Sequence, residues 1–260
     1  MTALMRHQPL LNPLPQPLPQ PELHSARLNH LLGALPEVDF DSVARHLEPI
    51  TLRLGESIYE PGGPQQYAIF PTTSIVSLHY VTASGASAET AAVGKEGMVG
   101  MPLFMGGDTT ASSARVLVAG GAVRMPARQL RQTFESVGPL RALLLGHTLS
   151  LIAQITLSAA CNRHHLVEQQ FCRWLLCALD RLPSDDLVMT HELVAQTMGV
   201  RRESITEVAG RLQQAGVLRY RRGHISVLDR AGLEHRACGC YAALHREQGR
   251  LLAPTPSTKG

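Results

Sequence analysis

The chain has 260 residues, 44% of them hydrophobic, and a formal net charge of only +3. That length suffices for two small folded units of globular composition. The charge permits a nucleic-acid partner without establishing one. No run reads as long and apolar enough to span a bilayer, since the richest, 140–161, is interrupted by Arg141, His147 and Gln154. No charged region followed by an apolar signal segment opens the chain. Five cysteines, an odd number without a disulfide framework, fit a reducing cytosol.

Residues 1–22 are rich in proline, with Pro13, Pro15, Pro17, Pro19 and Pro21 alternating, and read as a disordered or polyproline-like tail. Short helices are expected at 23–35 and 40–47. From Ile50 the texture changes to short apolar or alternating runs at 51–54, 58–59, 67–70, 74–81, 89–93, 114–118 and 122–125. Gly, Pro, Ser and Asp separate them, which predicts a small β-barrel or jelly roll. A helical turn at 98–105 interrupts the strands, and Gly106-Gly107-Asp108 reads as a turn. Residues 127–136 are helical again.

A long helix is expected over 140–161. Leu144, Leu151, Ile155 and Ser158 share one seam on it, with Leu145, Leu149, Ile152 and Ala159 beside it. Such a wide stripe fits a core as well as a partner helix; it is read as a two-stranded dimer seam. Residues 162–165 look like a hinge. An amphipathic helix at 166–181 turns Phe171, Trp174, Leu175 and Ala178 inward, and 183–186 reads as a loop.

Residues 191–208 have the pattern of a helix-turn-helix. Thr190 is a good N-cap for a first helix ending at Met198, and Gly199 supplies a left-handed residue for the turn. A second helix runs from about Arg202 to Gly216. Ile205, Val208, Ala209 and Leu212 recur at helical spacing and face inward, leaving Arg202, Glu203, Thr206 and Arg211 outside. An ordinary helical hairpin has the same pattern, but the residues that follow favour DNA. Residues 217–228 read as two short strands about Gly223, a basic wing. Between Ala195 and Arg230 seven arginines face three acids (Glu203, Glu207, Asp229), a local excess of +4 in a chain of net +3. A last helix is expected over 234–252.

Other constellations carry less. His191-Glu192 begins like a zinc-protease motif, but residue 195 is Ala and the second histidine is missing. His235, Cys238, Cys240 and His245 lack the spacing of a standard finger, and one continuous helix would put Cys238 and Cys240 on different faces. Cys161, His164 and His165 read as a buried thiol and a polar hinge. No metal, cofactor or catalytic set is therefore expected.

A small β-barrel, a long helix and a winged helix in this order resemble the Crp/Fnr family of bacterial transcription regulators over about residues 28–236. The likeness is strongest at 190–228, where the family's G-x-x-R-E-[ST]-[IV] pattern stands as Gly199-Val200-Arg201-Arg202-Glu203-Ser204-Ile205. The resemblance implies a cyclic-nucleotide-binding-type β-roll, a homodimer and DNA binding through the second helix. The family's base-reading positions fall on Arg202, Glu203 and Glu207. The last is commonly arginine in members that read TGTGA-type half-sites, so the operator here should differ. Arg202 can bond guanine O6 and N7, and Glu203 can accept from cytosine N4. Arg201, Ser204, Arg219, Arg221 and Arg222 are the candidate phosphate contacts. Cyclic-AMP-binding members hold the ribose with Gly-Glu and the phosphate with Arg-Ser. Aligning 97–116 puts Gly100-Met101 and Thr110-Ala111 there, a degenerate pocket whose nearest substitute cation is Arg115. Dependence on cyclic AMP is not expected. Iron–sulfur members use an N-terminal cysteine cluster, and no cysteine here precedes Cys161.

The expectation is an α+β chain with an N-terminal jelly-roll-like β-roll sensor, a long dimerisation helix and a C-terminal winged helix-turn-helix. The divisions are a tail at 1–27, the sensor at 28–138, the dimer helix at 139–161, the DNA-binding domain at 162–236, and a last helix and tail at 237–260. The expected partners of this cytoplasmic regulator are double-stranded DNA, a second copy, RNA polymerase and an unidentified small-molecule effector, with no membrane. The competing reading is a ligand-binding module that acts on a protein partner without DNA.

Overall fold

The computed structural model describes residues 23–221 and 223–252. The Pro-rich stretch 1–22, Arg222 and the last eight residues lie outside the described residues. After a 3-10 turn (Leu23–Leu28), α1 (His30–Gly33) and α2 (Glu37–Ala44) come seven strands: β1 (Glu48–Leu52), β2 (Ser57–Tyr59), β3 (Tyr67–Pro71), β4 (Ile75–Val81), β5 (Ser87–Val93), β6 (Ser113–Val118) and β7 (Gly120–Pro126). They form two antiparallel sheets, ordered β1-β7-β3 and β2-β6-β4-β5. Alternate residues from both sheets, among them Leu52, Ile69, Leu78, Ala91 and Val116, make one buried cluster between them. The other face of the first sheet, with Phe70, Val123 and Met125, is covered by α1, α2, α3 (Ala127–Ser136) and the start of α4 (Gly138–His164). Buried Asn29 ties the first helices to the roll. Its Oδ1 accepts from the N–H of Leu31 and Leu32, and its Nδ2 donates to the carbonyls of Pro71 (2.9 Å) and Gly97 (2.8 Å).

Helix α4 carries two seams of period 3.5 on opposite faces. Leu140, Leu144, His147, Leu151, Gln154, Ser158 and Cys161 are buried within the chain. Ala142, Leu145, Leu149, Ile152, Thr156 and Ala159 are exposed. The expected seam is thereby corrected: Leu144 and Leu151 are 0% and 5% exposed and belong to the chain's own cores, and of the three residues only Ile155 is exposed. Two of the polar groups on the inner seam bond to backbone of the roll. His147 Nε2 lies 2.9 Å from the Met98 carbonyl. The Gln154 amide, oriented to suit both partners, donates to the Ala92 carbonyl (3.1 Å) and accepts from its N–H (3.2 Å). Burial holds the His147 imidazole below its ordinary pKa, with the bond to Met98 opposing. Gly97 is required at this contact, since a Cβ there would sit 2.2 Å from the His147 ring. With 27 residues and a mean hydropathy of 1.5 in its most apolar window, α4 has the length and composition to cross a membrane. That overturns the expectation that no run does, yet its buried polar seam against the roll marks a core helix.

The chain continues through α5 (Val167–Leu179), β8 (Asp186–Val188), α6 (His191–Met198), α7 (Arg202–Gln214), β9 (Leu218–Arg221) and β10 (His224–Val227). The three strands pair in the order β8-β10-β9, so the loop expected at 183–186 ends in a strand that completes the wing. The single helix expected at 234–252 is two, α8 (Arg230–Arg236) and α9 (Cys240–Leu252). Phe171, Trp174, Leu175, Ile205, Leu212 and Ile225 build one core that also takes in Ile75, Ala92 and Leu117 from the roll. The two units therefore share buried apolar surface.

Polar groups fix the register of that contact. Buried Arg181, just past α5, pairs with Glu96 (Nε–Oε1 2.7 Å) and donates to the carbonyls of Ala92 (3.1 Å) and Cys177 (2.6 Å). Burial alone would raise the Glu96 carboxyl, but the Arg181 charge and hydrogen bonds from Arg181 and the backbone together hold Glu96 below the usual range. Trp174 Nε1 donates to Glu89 of β5 (3.1 Å), which also accepts from Ser77. Burial pushes the Glu89 carboxyl up to about 7, against those hydrogen bonds and the charges of Arg181 and Arg173. A raised carboxyl favours the folded state fully below its unfolded pKa, and that advantage fades as pH rises to the folded value. Glu89→Gln should therefore match the wild type near pH 4.5 and become more stable than it by about 1–3 kcal/mol near pH 8. Denaturant melts of both proteins across that window check this; a difference independent of pH would contradict it.

Candidate nucleic-acid interface

The two helices of the motif form for local reasons. The Thr190 hydroxyl caps α6 by accepting from the Leu193 N–H (3.2 Å). Gly199 ends it with φ of 66°, as expected for the turn. A second constraint acts on this glycine: a Cβ would lie 2.9 Å from that of Ala88 on β5, so the turn rests against the roll. In α7, Ile205, Val208, Ala209 and Leu212 are buried as the spacing predicts, and that fixes the outward face.

Arg202, Glu203, Thr206 and Glu207 are all exposed on that face. Arg202 reaches toward Glu192 of α6 at 4.0 Å. Glu207 pairs with Arg211 at 2.8 Å, and Arg211 also holds Glu168 of α5 at 3.0 Å. Glu207 is thus an anchored carboxylate, while the Arg202 fork has only a long contact. Arg201 precedes the helix, exposed and capping nothing, and Ser204 is half-buried in the first turn. Arg219 and Arg221 are exposed on β9, which turns at Gly223 (φ 81°) into β10. Arg222, expected at the wing tip, lies outside the described residues.

Sequence reasoning missed a brace between α6, α7 and the wing. His191 Nδ1 lies 3.1 Å from Thr206 Oγ1, and the His191 ring lies 4.0 Å from that of Tyr220. Tyr220 in turn donates to the Met189 carbonyl. Burial and the Arg202 charge lower the His191 pKa. The only sequence signal at His191 was the broken protease motif; its place in the first turn of a capped helix explains the residue instead.

The residues of the expected degenerate pocket are placed as follows. Gly100 (φ 112°) opens a 3-10 turn, Met101–Phe104, in which Leu103 and Phe104 are buried in the core and Met101 packs against two clusters. The Thr110 hydroxyl meets Ser112 (3.1 Å) and its carbonyl accepts from Gly62 (2.7 Å), while Ala111 is exposed. Arg115 alternates with Ala114 and Val116, which point into the roll, so its side chain leaves on the outer face and pairs with Glu60 (3.4 Å). It cannot neutralise an anion inside the roll. It instead lines a cleft of about 290 Å³ between roll and α6, with His79, Ser77, Gln196 and Thr197.

Residues 169–236 match the family model of the Crp-like helix-turn-helix domain. No curated protein matches the chain. Solved structures with the same fold include FixK2 from Bradyrhizobium japonicum, at TM-score 0.64 and 15% identity over 74% of this chain and 98% of that one. The Crp/Fnr transcriptional regulator TTHA1359 from Thermus thermophilus aligns at TM-score 0.57 and 23% identity, over 73% and 98%. The c-di-GMP responsive global regulator CLP from Xanthomonas campestris aligns at TM-score 0.58 and 18% identity, over 74% and 99%.

Proposed function

We propose that this chain, a DNA-binding transcription regulator of the Crp/Fnr type, works in the cytoplasm as a homodimer on a palindromic operator, without cyclic AMP. The observation that carries this reading is the exposed outer seam of α4. Leu145, Leu149, Ile152 and Ile155 are 46%, 54%, 50% and 39% exposed, on a helix whose other face is already used. Burying the remainder of each is worth about 1 kcal/mol per side chain. A second α4 in parallel register covers them, because Ala142, Leu145, Leu149, Ile152, Thr156 and Ala159 repeat every seven residues.

Such a dimer presents two α7 helices. Arg202 and Glu203 read bases, with Glu207 contributing only if it leaves Arg211; Arg201, Ser204, Arg219, Arg221 and Arg222 hold phosphates. The units we assign are a sensor at 28–138, the dimer helix α4 and the DNA-binding domain that follows it. RNA polymerase is the partner through which DNA binding acts on transcription. We assign an effector other than cyclic AMP because Met101 and Thr110, at the positions expected for the ribose and phosphate contacts, offer neither a carboxylate nor a guanidinium.

Leu149→Glu with Ile152→Glu should leave the fold intact, because both positions are exposed, and yield monomers with weakened DNA binding. A variant that still sediments as a dimer would place the interface elsewhere. Arg202→Ala should cost about 1–3 kcal/mol on the cognate site and far less on random DNA. Arg221→Ala should weaken both alike and reduce the salt slope by about one unit per monomer. Salt titrations of both variants on both DNAs decide this, with cyclic AMP added to the same assay leaving every affinity unchanged. If Arg202→Ala spares the cognate-to-random ratio and Arg221→Ala collapses it, the roles are reversed.

A further inference from the structure

Four side chains that the DNA-binding account leaves unused converge where α4 ends. Cys161 lies in the last full turn of α4 and His165 just beyond it. Cys238 lies in the break between α8 and α9, and Cys240 opens α9. The Sγ atoms of Cys161 and Cys238 are 3.4 Å apart, and Cys240 Sγ lies 3.8 Å from His165 Nδ1. All four ligand atoms lie within 4.8 Å of one another. A tetrahedral zinc site, with Zn–S of about 2.3 Å and Zn–N of about 2.0 Å, places its ligand atoms roughly 3.5–3.8 Å apart. We propose that Cys161, His165, Cys238 and Cys240 form a Cys3His site for a soft divalent metal ion of the zinc class.

The surroundings suit a metal thiolate. Three thiolates around a divalent ion leave one negative charge. Arg173 of α5 is buried, its charge acts on Cys161, and its Nε has no partner among the described residues. It balances that charge where water cannot. Gln170 orients the ligand backbone, donating to the His165 carbonyl at 2.8 Å and reaching that of Cys161 at 3.5 Å. Cys161 and Cys238 are buried while His165 and Cys240 are partly open, which leaves an entry path. The sulfur pair at 3.4 Å is well beyond a disulfide's ~2.05 Å. The break at Ala237–Gly239 is what allows the set: it removes the continuous helix that would have turned Cys238 and Cys240 apart.

The site's position gives it a role. Residues 166–237 hold the whole winged helix-turn-helix, with Cys161 and His165 before it and Cys238 and Cys240 after it. A bound ion clasps both ends of the DNA-binding unit to the foot of α4. His235 and His245 take no part, and His245 instead faces Asp180 at 2.7 Å.

The test uses tag-free full-length protein, reduced, stripped of metal and titrated with cobalt(II). The expected result is about one cobalt per chain, with a sulfur-to-cobalt charge-transfer band and the intense visible bands of a tetrahedral thiolate site. Cys240→Ser and His165→Ala should each weaken cobalt binding at least about tenfold and alter the spectrum, whereas His235→Ala and His245→Ala should leave both unchanged. The wild-type titration decides the matter even if a variant fails to fold. Reduced, folded wild type without the thiolate spectrum would overturn the proposal. So would a spectrum lost in His245→Ala but kept in Cys240→Ser.

Discussion

Helix α4 has to satisfy two neighbours at once, and the rest of the molecule is arranged around that demand. Its inner seam docks on the roll through His147 and Gln154, which bond the backbone at Met98 and Ala92. With those polar side chains turned inward, the aliphatic ones at Leu145, Leu149 and Ile152 are left facing out. The helix is more polar on the side it buries than on the side it shows. That inversion is tolerated because His147 and Gln154 meet backbone partners of the roll and because the outer stripe has the spacing of an interhelical seam.

The same docking sets where the DNA-binding unit sits. Arg181 and Trp174 belong to the segment after α4 but bond Glu96, Ala92 and Glu89 of the roll. The turn glycine of the motif, Gly199, rests on Ala88. Each of these contacts joins the winged helix to β5 or the loop after it. A change in β5 would thus be felt at the recognition helix through packed groups and not through a flexible linker. The cleft lined by Arg115 and His79 opens at this junction.

Much of this was legible in the sequence wherever local rules govern. The strands of the roll alternate, α3 spans the residues its pattern indicated, and Thr190, Gly199 and the Ile205–Leu212 spacing identify the helix-turn-helix. What escaped was long-range. Two seams of equal period lie on α4, and only the tertiary partners of Gln154 and His147 tell which one is internal. Arg115 follows strand alternation onto the outer face, which an alignment without a register does not reveal. Cys161 and His165 stand more than seventy residues from Cys238 and Cys240, so neither pair alone has the spacing of a metal motif. A helix break at Gly239 made the difference between sulfurs on opposed faces and sulfurs that meet.

The central claim is that two copies, joined along the outer seam of α4, read DNA with symmetry-related α7 helices. Selection of bound sequences from random double-stranded oligonucleotides by the full chain tests it most directly. The account predicts an inverted repeat whose half-sites are centred about 10–10.5 base pairs apart, or a multiple of that. Enrichment of a single asymmetric motif, or of no sequence at all, would contradict it.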